Sequence, residues 1–289
     1  MSDRNQDTAG EARAMAKAEA AGAPITRGSL ARELRELGVV GGMLLNVHSA
    51  LSSLGWVVGG AQAVVDALLE VLGPNGTLAM PTHSSQLTDP ANWGHPPAPE
   101  AWWAHIRAEM PAYDPACTPT RAMGAIPECF RNYPGVLRSD HPQTSHAALG
   151  LKASLLTAEH PLDDLFGDGS PIGQLYALDG HVLLIGVDHG NNTCLHLAEA
   201  RADFPGKQRH KEGAPIRIAG EQRWQPFEPI QVSDDDFPAL GEAFAATGLE
   251  TRGALGQATA RLMRVRDVVD FALPWLEANR GQAAKQDQP

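Results

Sequence analysis

Apolar positions recur at helical spacing early in the chain. Leu30, Leu34 and Leu37 share one face and Gly38 follows them, which predicts a helix over 29–37. The apolar run 43–47 predicts a buried strand, and a polar loop, 48–60, comes next. Val64, Val65, Leu68 and Leu72 then predict an amphipathic helix over 61–72, stopped at Gly73-Pro74. A short strand is predicted over 77–80. Residues 81–119 are rich in Pro, Trp and His with little periodicity, a long excursion of the kind that often carries function. A helix is predicted over 125–132. Later comes a second strand–loop–helix unit, with its strand at 181–187, its loop at 188–192 and its helix at 193–202. Residues 224–228 read as a strand. Residues 235–246 and 266–277 read as helices, the second ending near Pro274.

Strands alternating with helices imply an α/β sheet covered on both faces, and sites in such sheets gather at the carboxyl ends of strands. The loops 48–60 and 188–192 leave strands in this way. Residues 1–23 are small, polar and charged and predict a flexible N-terminal tail, and 280–289 predict another. No linker divides the chain between them, so 24–279 is expected to form a single domain.

Composition narrows the picture only a little. The chain has 289 residues, 43% of them apolar, enough for a sizeable core. The apolar run 182–187 is far too short to span a bilayer, and no basic-then-apolar leader is visible at the start. Three cysteines without zinc or disulfide spacing suit a reducing cytoplasm. A formal net charge of −11 disfavours nucleic acid and anionic membrane as partners and suits a cationic one.

The chemistry concentrates in 187–199. Thr193 reads as an N-cap, and His196 and Glu199, three apart, share a helix face. A histidine in a first helical turn can serve as a base near neutrality. The plainer reading stays open beside it: Thr193 only caps, His196 and Glu199 form a surface pair, and His189 is a loop residue. The loop 48–55 offers hydroxyls and amides after a strand, and Arg121 stands just before the helix expected at 125, where an anion would fit. That loop matches neither a P-loop nor a dinucleotide fingerprint. The histidines His141 and His146 invite a metal, but no ligand pair with metal spacing accompanies them, so no metal is expected. A serine hydrolase using Ser49 or Ser170 with His196 lacks the G-x-S-x-G elbow.

Several segments together resemble a known family. They are VHSALSSLG (47–55), GPNGTLAMPT (73–82), DPACTPTRAMG (114–124), RSDHPQTSHAALG (138–150), SPIGQL (170–175), LLIGVDHGNNTCLHLAE (183–199) and GALGQATARLMRVRDVVDF (253–271). In this order they resemble the aminoglycoside 3-N-acetyltransferases, also called the antibiotic N-acetyltransferases. The segment around His196 is the most specific of them. The resemblance implies a three-layer α/β/α fold distinct from the GNAT acetyltransferases. It implies direct acetyl transfer from acetyl-CoA (coenzyme A as co-substrate) to an amine of a cationic aminoglycoside, which gives antibiotic resistance. His196 would be the general base. Glu228, following Trp224 and Phe227, would orient it, with Glu199 as the rival carboxylate. Thr193 would assist the oxyanion. Coenzyme A would be held by His48, Ser49, Ala50, Leu51, Ser52, Ser53, Leu54 and Gly55, and by Arg121, Met123 and Gly124. Asp168, His189 and Asn192 would contact the drug, and Asp114, Asp163 and Asp164 are further acidic candidates.

The chain departs from the family pattern in places. Gln143 stands where some members carry an acid, and 95–111 matches nothing assignable. A metabolite amine is the alternative acceptor, a non-catalytic binder of coenzyme A or drug is a third reading, and a homodimer is compatible with all of them.

Overall fold

A computed structural model of the chain describes residues 2–20 and 22–286, so the expected tail residues 1, 21 and 287–289 lie outside the described residues. Ten α-helices and nine strands are described. The helices are α1 (Ser2–Ala20), α2 (Arg27–Leu37), α3 (Gly60–Leu72), α4 (Trp103–Glu109), α5 (Ala125–Phe130), α6 (Ala153–Thr157), α7 (Pro171–Ala177), α8 (Leu195–Arg201), α9 (Phe237–Ala245) and α10 (Val265–Gln286). The strands are β1 (Leu44–Ser49), β2 (Thr77–Pro81), β3 (Leu137–Arg138), β4 (His146–Gly150), β5 (His181–Ile185), β6 (Glu212–Ile218), β7 (Glu221–Phe227), β8 (Thr251–Leu255) and β9 (Ala258–Arg264).

Seven strands form one sheet in the order β3-β4-β2-β1-β5-β9-β8, and β6 and β7 form a separate hairpin. Among the described strands of that sheet, β1–β2 and β1–β5 pair in parallel and the other neighbours are antiparallel. Side chains alternate across a strand, so each buried strand feeds two apolar layers. Leu45 and Val47 of β1 and Leu183 and Ile185 of β5 join α2, α3 and α5 on one face. Leu44, Val182 and Leu184 join α6 to α10 on the other. This is an α/β/α sandwich. The same alternation puts Asn46 and His48 on the face of β1 that looks toward α8, and it turns Ser49 to the opposite face.

The chain steps from β1 to β2 on one side, then returns to place β5 on the other side of β1. The strand order therefore reverses between β1 and β5, where a crevice opens at the carboxyl ends of an α/β sheet. Ser49 pairs with Ile185 in the register, so both strands end together. Gly186, at φ +65°, lets the two exit loops touch: a Cβ there would lie 1.7 Å from Ser53 Oγ.

Residues 2–20, in the expected N-terminal tail, form a helix that buries Ala18. Three sequence expectations need correcting. Pro274 does not end the last helix, which runs to Gln286 and takes in Arg280, a residue expected to lie in the tail. Thr193 caps nothing, because α8 starts at Leu195 behind Cys194 without a side-chain cap bond. The strand expected at 224–228 is longer and pairs with β6, a partner the pattern did not suggest.

Candidate active site

A cleft of about 820 Å³ opens at the switch point. Its walls include His48 and Ser49 from β1, Val187 and Thr193 after β5, and His196 from α8. The turn Ala122–Met123, the stretch 231–234, His210 before the hairpin and Glu212 at its start also line it.

His196 is built into this wall with care. Its Nδ1 lies 2.6 Å from Glu199 Oε2, one helical turn on. A carboxylate only accepts, so Nδ1 carries the proton and Nε2 is left with a lone pair. No partner among the described residues takes Nε2, and His196 lines the cleft. Phe166 stacks on the ring at 4.7 Å and Phe237 packs against it at 4.8 Å. The ring is thereby held from two sides and from one nitrogen.

Glu199 is 1% exposed. Burial alone would raise its pKa, but the hydrogen bond from His196, with those from Arg280 and the Ser233 amide, overcomes that and holds it below the ordinary carboxylate range. Stripped of these partners, a buried carboxylate would cost several kcal/mol. Thr193 Oγ1 lies 3.3 Å from His48 Nε2, which Asn46 Nδ2 also approaches at 3.1 Å. Burial, reinforced by the nearby His196, lowers the pKa of His48 to about 3. His48 is therefore a neutral ring at physiological pH and a fixed support for the Thr193 hydroxyl.

Behind the cleft lie three buried histidines, His141, His146 and His160, and a fourth, His83, stands half-buried in the cleft wall. Burial first, then repulsion among themselves, pushes the pKa values of His83, His141 and His146 well below the usual histidine value, while burial alone lowers His160 to about 4. His83 Nε2 and Ser49 Oγ are buried without hydrogen-bond partners, and both residues line the cleft. Such orphaned polar atoms suit a ligand that hydrogen-bonds. Among the described residues, no group of three or more His, Cys, Asp or Glu side chains is arranged to hold a metal.

The structure brings together only part of the expected site. His196, Thr193, His48, Ser49 and Met123 meet at the cleft, and Gly124 packs close to Ser49 O across its mouth. The rest of the 48–55 run turns away. Leu54 is fully buried in the core, Leu51 packs against it, and Ser53 Oγ bonds back to Ala50 O at 2.6 Å. Ala50, Ser52 and Gly55 do not line the cleft either; Gly55 sits against the Gln257 side chain. Arg121 is exposed, and its amide donates to His83 O at 2.9 Å.

The largest correction concerns Glu228. It is exposed at the end of the hairpin, its amide bonds to Asp163, and it lines a separate cavity with Trp224 and Arg107. The carboxylate on His196 is Glu199, because one helical turn carries it there. The expected drug contacts also lie off the cleft. Asp168 is exposed and paired with Arg201. His189 is buried and paired with Glu250 at 2.7 Å. Asn192 is buried and accepts the Cys194 amide. Of the other acids, Asp164 accepts the amides of Gly167 and Gly169, and Asp114 accepts that of Ala116. The acids that do line the cleft are Glu212 and Asp234. No local motif announces them, since each reaches the cleft only through the fold of distant segments.

Comparison with known proteins gives a consistent answer. The sequence profile of the family described as "Aminoglycoside 3-N-acetyltransferase" matches residues 47–277. The chain is 42% identical over 264 residues to a Bacillus subtilis protein, "SPbeta prophage-derived aminoglycoside N(3')-acetyltransferase-like protein YokD", covering 91% of this chain and 96% of that one. It is 38% identical over 275 residues to aminoglycoside N(3)-acetyltransferase VII of Streptomyces paromomycinus, covering 90% and 94%. Among solved structures, AAC-IIIb in binary complex with CoASH superposes with a TM-score of 0.79 at 33% identity, covering 89% of this chain and 97% of that one. AAC-VIa bound to sisomicin gives a TM-score of 0.80 at 33% identity, covering 89% and 99%.

Proposed function

This chain belongs to the aminoglycoside 3-N-acetyltransferase family, and from that premise we propose that it moves an acetyl group from acetyl-CoA to the 3-amino group of the 2-deoxystreptamine ring of an aminoglycoside, giving resistance to the drug. The observation that carries this reading is the His196–Glu199 pair, with the free Nε2 of His196 turned to the cleft.

The chemistry follows from what an amine needs. A protonated amine has no lone pair, so it must meet a base before or as it attacks a thioester. The acceptor nitrogen attacks the acetyl carbonyl carbon while His196 Nε2 takes its proton. Glu199 stabilises the imidazolium so formed and keeps the ring in the working tautomer. The carbonyl oxygen becomes an oxyanion, and the Thr193 hydroxyl is the candidate donor to it, its one proton turning from His48 Nε2 to the developing charge. Such a donor contributes about 3 kcal/mol in known oxyanion holes. Collapse of the tetrahedral species breaks the C–S bond, and the thiolate leaves and takes up a proton. Glu212 and Asp234 would draw in the cationic acceptor. Ser49, with the Arg121–Gly124 turn, would hold the acetyl donor on the β1 side. The similarity to a CoASH-bound enzyme and to a sisomicin-bound one supports both substrates.

Thiol release from acetyl-CoA, measured across a panel of aminoglycosides with the product mapped by NMR, tests the reading. Release with 2-deoxystreptamine drugs and acetylation at the 3-amino group are expected. Turnover confined to simple metabolite amines would overturn the acceptor, because fold and donor do not fix it. Thiol release without any amine would mean a hydrolase. The scheme uses no metal, so the rate should survive dialysis against a strong chelator; loss restored by one metal ion would overturn it.

A further inference from the structure

We propose that Arg280, on the last helix, is a positioning residue that ties the base pair to the acceptor side of the cleft. The inference rests on the reading of His196 as the base. Arg280 donates to Glu199 Oε1, the oxygen not used by His196. Its Nε and Nη2 grip both oxygens of Asp236 at 2.8 and 2.7 Å, and Nη2 also reaches Ser233 O at 2.8 Å. The guanidinium is 15% exposed and lies over the rings of Phe204 and Phe237. Phe237 is the same ring that packs on His196. One planar fork thus holds the carboxylate behind the base, the aromatic wall beside it, and the 233–236 segment whose Ser233 and Asp234 line the cleft.

Two consequences follow. First, the Arg280 cation opposes part of the pull that Glu199 exerts on the imidazolium. The other charged or titratable groups near His196 are His48 from β1, His83 after β2, and Asp234 and Asp236 before α9. Burial lowers the pKa of both histidines, so they stay neutral; Lys207, held on the carbonyls of Ala200 and Ala202, also acts on Glu199 through space, but among the described residues Arg280 is the cation that hydrogen-bonds to the pair. Second, the fork fixes the shape of the acceptor wall without touching the donor side.

The test compares Arg280→Met, Arg280→Lys and Asp236→Asn in the full chain, each checked for folding by circular dichroism. Arg280→Met should lower kcat by about 10–100-fold, by analogy with the loss when the hydrogen-bond partner behind a metal-bound histidine is removed. It should move the acidic limb of the pH–rate profile to higher pH, because Glu199 without its cation favours the imidazolium. The KM for the aminoglycoside should rise while that for acetyl-CoA stays put. Arg280→Lys keeps the charge but cannot reach three acceptors at once, so it should raise the acceptor KM and leave the limb in place. Asp236→Asn leaves Glu199 its cation and should raise the acceptor KM without moving the limb upward. A folded Arg280→Met with wild-type kcat, limb and KM values overturns the proposal. If that variant does not fold, an Asp236→Asn protein with an unchanged acceptor KM overturns it. Failure of the base reading looks different: His196→Ala would then keep its turnover whatever Arg280 does.

Discussion

Two histidine–carboxylate pairs flank the same loop, and only one of them opens on the cleft. His196 meets Glu199 at 2.6 Å and His189 meets Glu250 at 2.7 Å. Both carboxylates are 1% exposed, and both also bind arginine. By distance, burial and chemistry the pairs are near twins. They differ in the second ring nitrogen. The Nε2 of His196 is left to the cleft, whereas Nδ1 of His189 sits 3.5 Å from Asn192 Nδ2 inside the protein. The His189 ring also presses on Gly241, where a Cβ would come within 2.4 Å of it. A buried carboxylate therefore orients a histidine in either setting. Access to the remaining lone pair is what separates a base from a structural pair.

The sharpest way to break this comparison is to truncate both histidines. His196→Ala should lower kcat by about 10²–10⁴-fold, the usual worth of a positioned general base, with little change in KM for acetyl-CoA. His189→Ala should leave kcat within a few-fold. It should instead destabilise the fold by about 3 kcal/mol, because Glu250 loses a buried partner and the ring leaves a gap. Steady-state kinetics beside denaturant titration separates the two outcomes. Full turnover in His196→Ala, or collapse of kcat in a folded His189→Ala, reverses the assignment.

The contrast also explains how much was legible beforehand. Parallel β1, β2 and β5 are buried on both faces and read as plain apolar runs between amphipathic helices, so the centre of the sheet could be seen. The sheet's strands outside this centre were not visible in this way. β9 carries Arg261 and Arg264 among its apolar residues, and β3 is only two residues long. At the site, the His196–Glu199 spacing was visible as a shared helix face. The family resemblance pointed instead to Glu228, and spacing cannot say which face meets a cleft. Arg280, Phe166, Glu212 and Asp234 reach the site from segments far apart in the chain. Only the strand order and the packing of α10 on α8 bring them there, and no periodicity reports either.

The buried histidines behind the cleft sharpen the comparison from another side, since His141, His146 and His160 do not line it and should act on stability alone. Their folded pKa values, like those of His48 and His83 in the cleft wall, lie below the unfolded value of about 6.5, with His48 at about 3 and His160 at about 4. The unfolded chain therefore binds more protons between these limits. The stability they give is whole above pH ~6.5 and drains away as pH falls toward 4 and 3. Glu199 and Glu250, held below the ordinary carboxylate range, act in the same direction at the acid end. Melting temperature should be flat from pH 8 to 7 and fall steadily below about 6.5. A curve that stays level down to pH 5 would mean that these rings take up protons without cost.

The smallest expected effect is the most informative about the orienting carboxylate. Glu228 is exposed and faces a cavity beside Trp224, separate from the ring it was expected to orient. Removing an exposed charge there changes only a screened, distant field at His196. Glu228→Gln should therefore leave kcat and the acidic limb of the pH–rate profile where they are. Glu199→Gln makes the control. It leaves a neutral amide oxygen to accept Nδ1–H but removes the countercharge for the imidazolium, so kcat should drop and the limb should shift to lower pH. The limb is the better measure of the two, because a loss of kcat alone could follow from local loosening around Arg280. If Glu228→Gln moves the limb and Glu199→Gln does not, the hairpin must close over the cleft during turnover and bring Glu228 to His196. The pairing of His196 with Glu199 would then belong to the resting enzyme alone.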